Sequence, residues 1–213
     1  MPIFFESAIN DNTRLGIWKI EEPEDFFKRN VPLHRDVTHP HKRLQHLAGR
    51  FLLQYLFPSF PYELIRIADT RKPFLENEEF HFSISHCGDY AAAIASRDRR
   101  VGIDVEIPTP KIEKIRDKFL DAAEMKEFGL GPSTDAEQLQ LTTILWSAKE
   151  SVFKWFGTGG VDFRKDIRLR KIHGQDLIQC HFEKTGQDLE ITFHRFDHIV
   201  AAWVTSHSGS SSG

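Results

Sequence analysis

Residues 101–107 read VGIDVEI, and residues 15–20 read LGIWKI. Each is a short run of strand-forming residues with glycine in second place, and each is followed by an acidic or proline-containing turn and then by helical patterning. A long helix is expected next in both places. One spans His41 to Phe57, with apolar residues at Leu44, Leu47, Phe51, Leu52 and Tyr55, and the other spans Gln138 to Phe156. They stop at Pro58 and Gly157. Beyond each helix the period falls to two: Leu64 to Ala68, Phe80 to Ser85 and Tyr90 to Ala95 in the first half, and Ile167 to Ile172, Leu177 to Phe182, Leu189 to Phe193 and Ile199 to Val204 in the second. The same order of elements occurs twice. The expected fold is therefore α+β, with two similar subdomains related by a pseudo-twofold axis, each a small antiparallel sheet packed on a long helix. The expected boundaries are 1–100, 101–205 and a Gly/Ser tail, 206–213, set aside as flexible. The junction between the halves is the natural place for a ligand.

The 213 residues carry a formal net charge of -3, with 40% hydrophobic and 28% charged residues, so a sizeable core can form. Bulk attraction to nucleic acid or to an anionic membrane is not expected, and any anionic ligand must be held by a specific site. Cys87 and Cys180, the two cysteines, are too few for a disulfide framework or a cysteine zinc site and point to the cytoplasm. The N-terminal stretch lacks a basic region followed by a long apolar run, and no stretch of about 18 apolar residues suggests a membrane span.

Asp104 and Glu106, two apart on an expected strand, leave the same face of the sheet, while Val101, Ile103 and Val105 fill the other. Glu150 sits in the second long helix, within WSAKESVFK (146–154). If that helix crosses the strand, three carboxylates converge, a hard-oxygen set that suits Mg²⁺ better than zinc. The competing reading is two solvated strand carboxylates and a helical Glu150 and Lys154 pair. Cations for an anionic ligand stand nearby in the sequence: Lys149 and Lys154 around Glu150, Arg71 and Lys72 before Pro73, Ser85 and His86 at a strand end, and Arg43 and Arg50 in the first long helix. The GTGG run from Gly157 follows a helix rather than opening one, so it is a helix stop and not a phosphate-binding loop. His34, His39, His41 and His46 read as surface histidines, and Cys87 as a small core residue pointing away from His86.

VGIDVE, a gap of about 40 residues, then WSAKESVFK, together resemble the signature of the 4′-phosphopantetheinyl transferases. RKPF, FSISHCGDYAAAIAS and the AGR helix resemble the long, pseudo-dimeric branch of that family. The resemblance implies transfer of phosphopantetheine from coenzyme A to a serine of an apo acyl or peptidyl carrier protein, with release of adenosine 3′,5′-bisphosphate. It implies Mg²⁺ on Asp104, Glu106 and Glu150, with Glu150 deprotonating the carrier serine. Lys149 and Lys154 would hold phosphates, Ser85 and His86 a coenzyme A phosphate, and Lys72 with Pro73 the adenine and ribose-phosphate end. By the same resemblance Arg43 and Arg50 would fall in the neighbourhood of the 3′-phosphate cations, and Lys154 would take part in catalysis. The expected enzyme is a monomer with no nucleic-acid or membrane partner. Basic residues around 111–118 or 164–170 are expected to meet the acidic carrier. The alternatives are a Mg²⁺-dependent coenzyme A or nucleotide pyrophosphate hydrolase, and a non-catalytic coenzyme A-binding module. Two departures from the pattern, Arg71 for the usual glycine and Cys87 after His86, concern the nucleotide end rather than the metal set.

Overall fold

The computed structural model describes residues 3–31, 37–70, 72–131, 135–172 and 176–207. In chain order the elements are β1 (Ile3–Asn10), β2 (Thr13–Lys19), α1 (Glu24–Lys28), α2 (Pro40–Leu56), β3 (Ile65–Ile67), β4 (Pro73–Leu75), β5 (His81–Cys87), β6 (Tyr90–Ser96) and β7 (Arg99–Glu106). Then come α3 (Pro110–Lys114), α4 (Arg116–Phe119), α5 (Ala122–Phe128), α6 (Ala136–Phe156), β8 (Ile167–Lys171), β9 (Leu177–Phe182), β10 (Gln187–Arg195) and β11 (Val200–His207). The class is mixed, with antiparallel sheets. A four-stranded sheet runs β1-β2-β6-β5, a five-stranded one β7-β11-β10-β9-β8, and β3 with β4 makes a separate pair. Among the described residues no helix is long and apolar enough to cross a membrane.

The long helices lie where the periodicity put them, and their ends have local causes. Pro40 occupies the first turn of α2, where its missing N–H costs nothing, and the His39 ring accepts from the Lys42 amide. Asp135 caps α6 in the same way through the Gln138 amide, and Gly157 closes it at φ 75, a left-handed conformation that favours glycine. Asp121 and Glu124 form a reciprocal capping box at the start of α5. Two expectations are corrected. Residues 206 and 207 complete β11 rather than opening a loose tail, and the Ser206 Oγ accepts the Trp155 indole N–H at 2.8 Å. The second sheet begins at Arg99, so the division at residue 100 cuts through a strand. Strands β1 and β4 were not anticipated.

Three apolar clusters hold the elements together. Leu47, Ala48, Leu52 and Leu53 of α2 pack on Trp18 and on Ala91, Ala93 and Ala95 of β6. Ile144, Leu145, Ala148, Val152 and Trp155 of α6 pack on the second sheet. Between the sheets, Leu15, Ile17, Ala92 and Ile94 meet Val101, Ile103, Val105, Ala201 and Trp203. Gly16 of β2 and Gly102 of β7 each face the long helix of their own half: a Cβ on Gly16 would touch Leu52 and Leu56, and one on Gly102 would lie 2.0 Å from the Ser151 carbonyl oxygen. That distance is inside van der Waals contact and the obstacle is helix backbone, so α6 can lie this close to β7 only over a residue without a side chain.

Gly102→Ala must push α6 away from β7 and should cost about 3 kcal/mol, at the upper end of overpacking penalties. A melting curve should show a Tm lowered by roughly 6–12 °C for a chain of this size. An unchanged Tm would contradict the close approach.

Candidate active site

Strand β5 ends one sheet and β7 the other, and the two edges meet through side chains. The Ser83 Oγ accepts the Ile103 amide at 3.2 Å, and the Ser85 Oγ accepts the Val105 amide at 3.3 Å. Because side chains alternate along a strand, the residues turned toward β7 are Ser83, Ser85 and Cys87, while Ile84 and His86 face the other way. Ile84 lies under Gly49 of α2, and His86 is exposed. Burial on its inward side, together with the Lys154 charge, lowers the His86 pKa.

Helix α6 crosses over this seam and brings Ser147, Glu150 and Lys154 to it from one face, as i, i+3 and i+7 spacing requires. Asp104, only 3% exposed, is fully engaged. Its Oδ1 accepts from the Lys154 Nζ at 2.6 Å and from the Ser85 Oγ at 2.9 Å, and its Oδ2 accepts from the Ser147 Oγ at 2.9 Å. Lys154 also donates to the Ser85 Oγ at 2.8 Å. The solvated-strand reading of Asp104 is thereby excluded. Glu106 accepts from the Cys87 Sγ at 3.3 Å and from the Trp146 indole N–H at 3.4 Å, and its pKa is raised by burial and by the Asp104 charge. Glu150 accepts no hydrogen bond from any described residue. Burial, then Asp104 and Glu106 against the partial offset of Lys154, push its pKa up to about 7. Asp104, Glu106 and Glu150 thus feel one another across the seam, although among the described residues no group of three His, Cys, Asp or Glu side chains closes into a metal cage.

Beside this cluster is a cavity of about 210 Å³ lined by Thr70, Lys72, Pro73, Ile84, Lys154 and Gly159, among others. It brings Lys72, Pro73 and Lys154 to one concavity beside the carboxylates. The Lys72 ammonium lies across the end of α6, donating to the Trp155 carbonyl at 3.3 Å, and a Cβ on Gly157 would collide with it. Burial and the nearby Arg100 bring the Lys72 pKa down to about 8.

Other expected residues are placed elsewhere. Lys149 is the main correction: its side chain is 0% exposed, on the core side of α6, and its Nζ holds Glu124 at 2.7 Å and the carbonyls of Phe163 and Ile167 at 2.9 and 2.7 Å. Glu124 in turn accepts the Leu169 amide. A lysine so enclosed cannot meet a phosphate. Ser85 is likewise buried, with both lone pairs and its proton used within the protein. Arg43 pairs with Glu24 at 2.8 Å and donates to the Val37 carbonyl, and Arg50 is buried beside the His46 ring. Of the histidine group, His41 meets Asp89 at 3.0 Å, and His34 lies outside the described residues, as does Arg71. Arg168, in the second basic stretch, is already paired with Asp121. Ser147 and Trp146 were missed although they stand inside the quoted helix motif; Ser147, three residues before Glu150, carried the signal in its spacing. Cys87 does point away from His86, as expected, but toward Glu106.

The model of the 4′-phosphopantetheinyl transferase superfamily matches residues 100–206. Enterobactin synthase component D of Escherichia coli (strain K12) is 31% identical over 141 residues, which cover 62% of this chain and 66% of that protein. The L-aminoadipate-semialdehyde dehydrogenase-phosphopantetheinyl transferase of Xenopus laevis is 31% identical over 130 residues, 53% of this chain and 43% of that protein. The 4′-phosphopantetheinyl transferase AcpT of Escherichia coli O157:H7 is 29% identical over 122 residues, 54% and 59% of the two chains. The chain thus spans just under two thirds, or less, of these relatives.

Lys149→Ala would leave Glu124 charged and buried without its partner and should cost about 3–5 kcal/mol. Chemical denaturation would measure it, with Lys149→Arg recovering part of the loss. A stable Lys149→Ala protein with an altered KM for a phosphate-bearing substrate would return this lysine to the cleft.

Proposed function

Because the chain belongs to the 4′-phosphopantetheinyl transferase superfamily, we propose that it moves the phosphopantetheine of coenzyme A onto a serine of an apo acyl or peptidyl carrier protein, releasing adenosine 3′,5′-bisphosphate. The observation that carries this reading is Glu150: a carboxylate with no hydrogen bond from any described residue and a pKa of about 7, standing beside a lysine at the edge of a cavity. A carboxylate so poised is ionised in a large fraction of molecules at neutral pH and is basic enough to take a hydroxyl proton as the oxygen attacks. Glu150 accepts the serine proton, the serine oxygen forms its bond to the β-phosphorus, and the bond from that phosphorus to the bridging oxygen of the pyrophosphate breaks. Lys154, one helical turn from Glu150 and partly exposed, places its charge where the leaving phosphate gains negative charge. Lys72 and Pro73 line the cavity for the nucleotide end, and the exposed His86 meets a phosphate.

The donor chemistry also fits Mg²⁺. Asp104, Glu106 and Glu150 are oxygen donors, and two of them have pKa values raised in part by their neighbours' charge against a single ammonium, Lys154. That is the imbalance a hard divalent cation relieves. Asp104, Glu106 and Glu150 would hold the ion, and when bound it supplies charge neutralisation on the pyrophosphate. Ser147 and Ser85 keep the Asp104 carboxylate turned into the seam.

The finer architecture belongs to the same proposal: residues 1–100 and 101–205 as pseudo-twofold halves, the first for nucleotide contacts and the second for metal and catalysis. It is supported by the pairing of β2 with β6 and of β7 with β11, and by Gly16 and Gly102 each facing the long helix of its own half. We further propose a cytoplasmic monomer, in keeping with two free cysteines.

The purified chain is to be incubated with coenzyme A, Mg²⁺ and several apo carrier domains, and the intact carrier weighed with and without chelator. The expected result is a gain of one phosphopantetheine that chelation abolishes. Coenzyme A consumed with no gain on any carrier would instead indicate a pyrophosphate hydrolase, and neither change a binding module. Glu150→Gln should stay folded and lose about 10²-fold or more in kcat, the usual contribution of a general base. Lys154→Ala should raise the KM for coenzyme A and lower kcat. Near-normal turnover in Glu150→Gln would refute its role as base.

A further inference from the structure

A second cavity of about 270 Å³, which shares Lys72, Pro73, Phe82 and Gly157 with the first, opens between β4, the first residues of β5 and β7, and the C-terminal end of α6. Its walls are of two kinds. Lys72, His81 and Arg100 bring nitrogen donors, while Phe74, Phe80 and Phe156 bring aromatic surface. The donors are largely unspent. The side chains of Arg100 and His81 make no hydrogen bond or ion pair with any described residue, Arg100 resting 5.7 Å over the Trp155 ring, and Lys72 makes the one bond to the Trp155 carbonyl. Against the charges of Lys72 and Arg100 the lining offers, among the described residues, one carboxylate, the exposed Glu78. Burial, and then the Arg100 charge, lower the pKa of Lys72; burial likewise lowers that of His81, with Arg100 and Lys72 adding to it against Glu78, so His81 offers a neutral ring N–H rather than a charge.

A surplus of positive charge, three donor groups and a facing aromatic wall complement an oxyanion attached to a flat apolar body. Three donor groups suit a tetrahedral phosphate better than a carboxylate, and the guanidinium fork matches phosphate oxygens in pairs. The volume lies just below the usual range of small-molecule sites, so the ligand is small. Arg100 precedes Asp104 by four residues on one strand, about 13 Å at the rise of an extended chain, which is too far for such a ligand to reach both. We propose that this cavity is a second anion site, separate from the carboxylate cleft, that takes a small phosphate monoester carrying an aromatic or apolar group. Phe74, exposed at the mouth, packs on that group, and Arg100 with Lys72 and His81 receives the phosphate.

The test is calorimetric titration of the full chain with phenyl phosphate at neutral pH, without metal or coenzyme A, and again with coenzyme A in excess. Phenyl phosphate should bind at least about tenfold more tightly than inorganic phosphate, because only it uses the aromatic wall. Arg100→Ala should weaken phenyl phosphate about tenfold or more while leaving the Tm within a few degrees, Arg100 being exposed. Should Arg100→Ala fold poorly, Arg100→Gln keeps a side chain over Trp155 and should show the same loss. Coenzyme A in excess, which the proposed function also brings against Lys72, should leave phenyl phosphate bound through Arg100 and His81, its affinity lowered by no more than about tenfold. The proposal fails if millimolar phenyl phosphate does not bind, if the folded Arg100 variant binds as tightly as the parent, or if coenzyme A displaces the probe, which would give the cavity to the nucleotide.

Discussion

The approach of α6 to β7 over Gly102 is the constraint on which the rest depends. With helix backbone where a Cβ would stand, the carboxylates of the strand cannot be solvated and must be answered by the helix or by the neighbouring sheet. Asp104 is answered three times, by Lys154 and Ser147 from the helix and by Ser85 from β5. The same contact joins the two sheets, because the serine hydroxyls that bridge β5 and β7 also complete the hydrogen bonding of the carboxylate. A seam built on side chains rather than on a continuous backbone ladder leaves room for the cavities that share Lys72.

Helix geometry then divides the labour along one short segment. At 100° per residue, Lys149 and Lys154 stand about 140° apart, so one lysine must face the core when the other faces the cleft. Glu150 and Lys154 differ by about 40° and share the cleft face. The core lysine is tolerated because Glu124 and two carbonyls satisfy its ammonium; burial still lowers its pKa, and Glu124 partly restores it. Glu150 receives the opposite treatment. It has a lysine near it but no hydrogen bond from any described residue, and the two other carboxylates raise its pKa rather than lower it. The environment that keeps Asp104 fixed therefore leaves Glu150 able to gain and lose a proton near neutrality.

The sequence by itself determined the two long helices, nearly all the strands and the residue types of the site, because 3.6- and two-residue periods and helix stops are local signals. It also placed Asp104 and Glu106 on one face and Val101, Ile103 and Val105 on the other. It did not reveal β1, or β4, which is three residues long and opened by a proline. It gave Lys149 and Lys154 the same duty, since both are cations beside one glutamate, and it took Ser85 for a ligand contact. Only the tertiary structure decided these points, for a physical reason: the role of a polar side chain is set by what buries it, and the groups that bury Lys149, Ser85 and Asp104 come from positions 14 to 69 residues away along the chain. No local period carries that information. The cavity of Lys72, His81 and Arg100 is of the same kind, three nitrogen donors from three separate strands or their ends, brought together only when the two sheets close on α6.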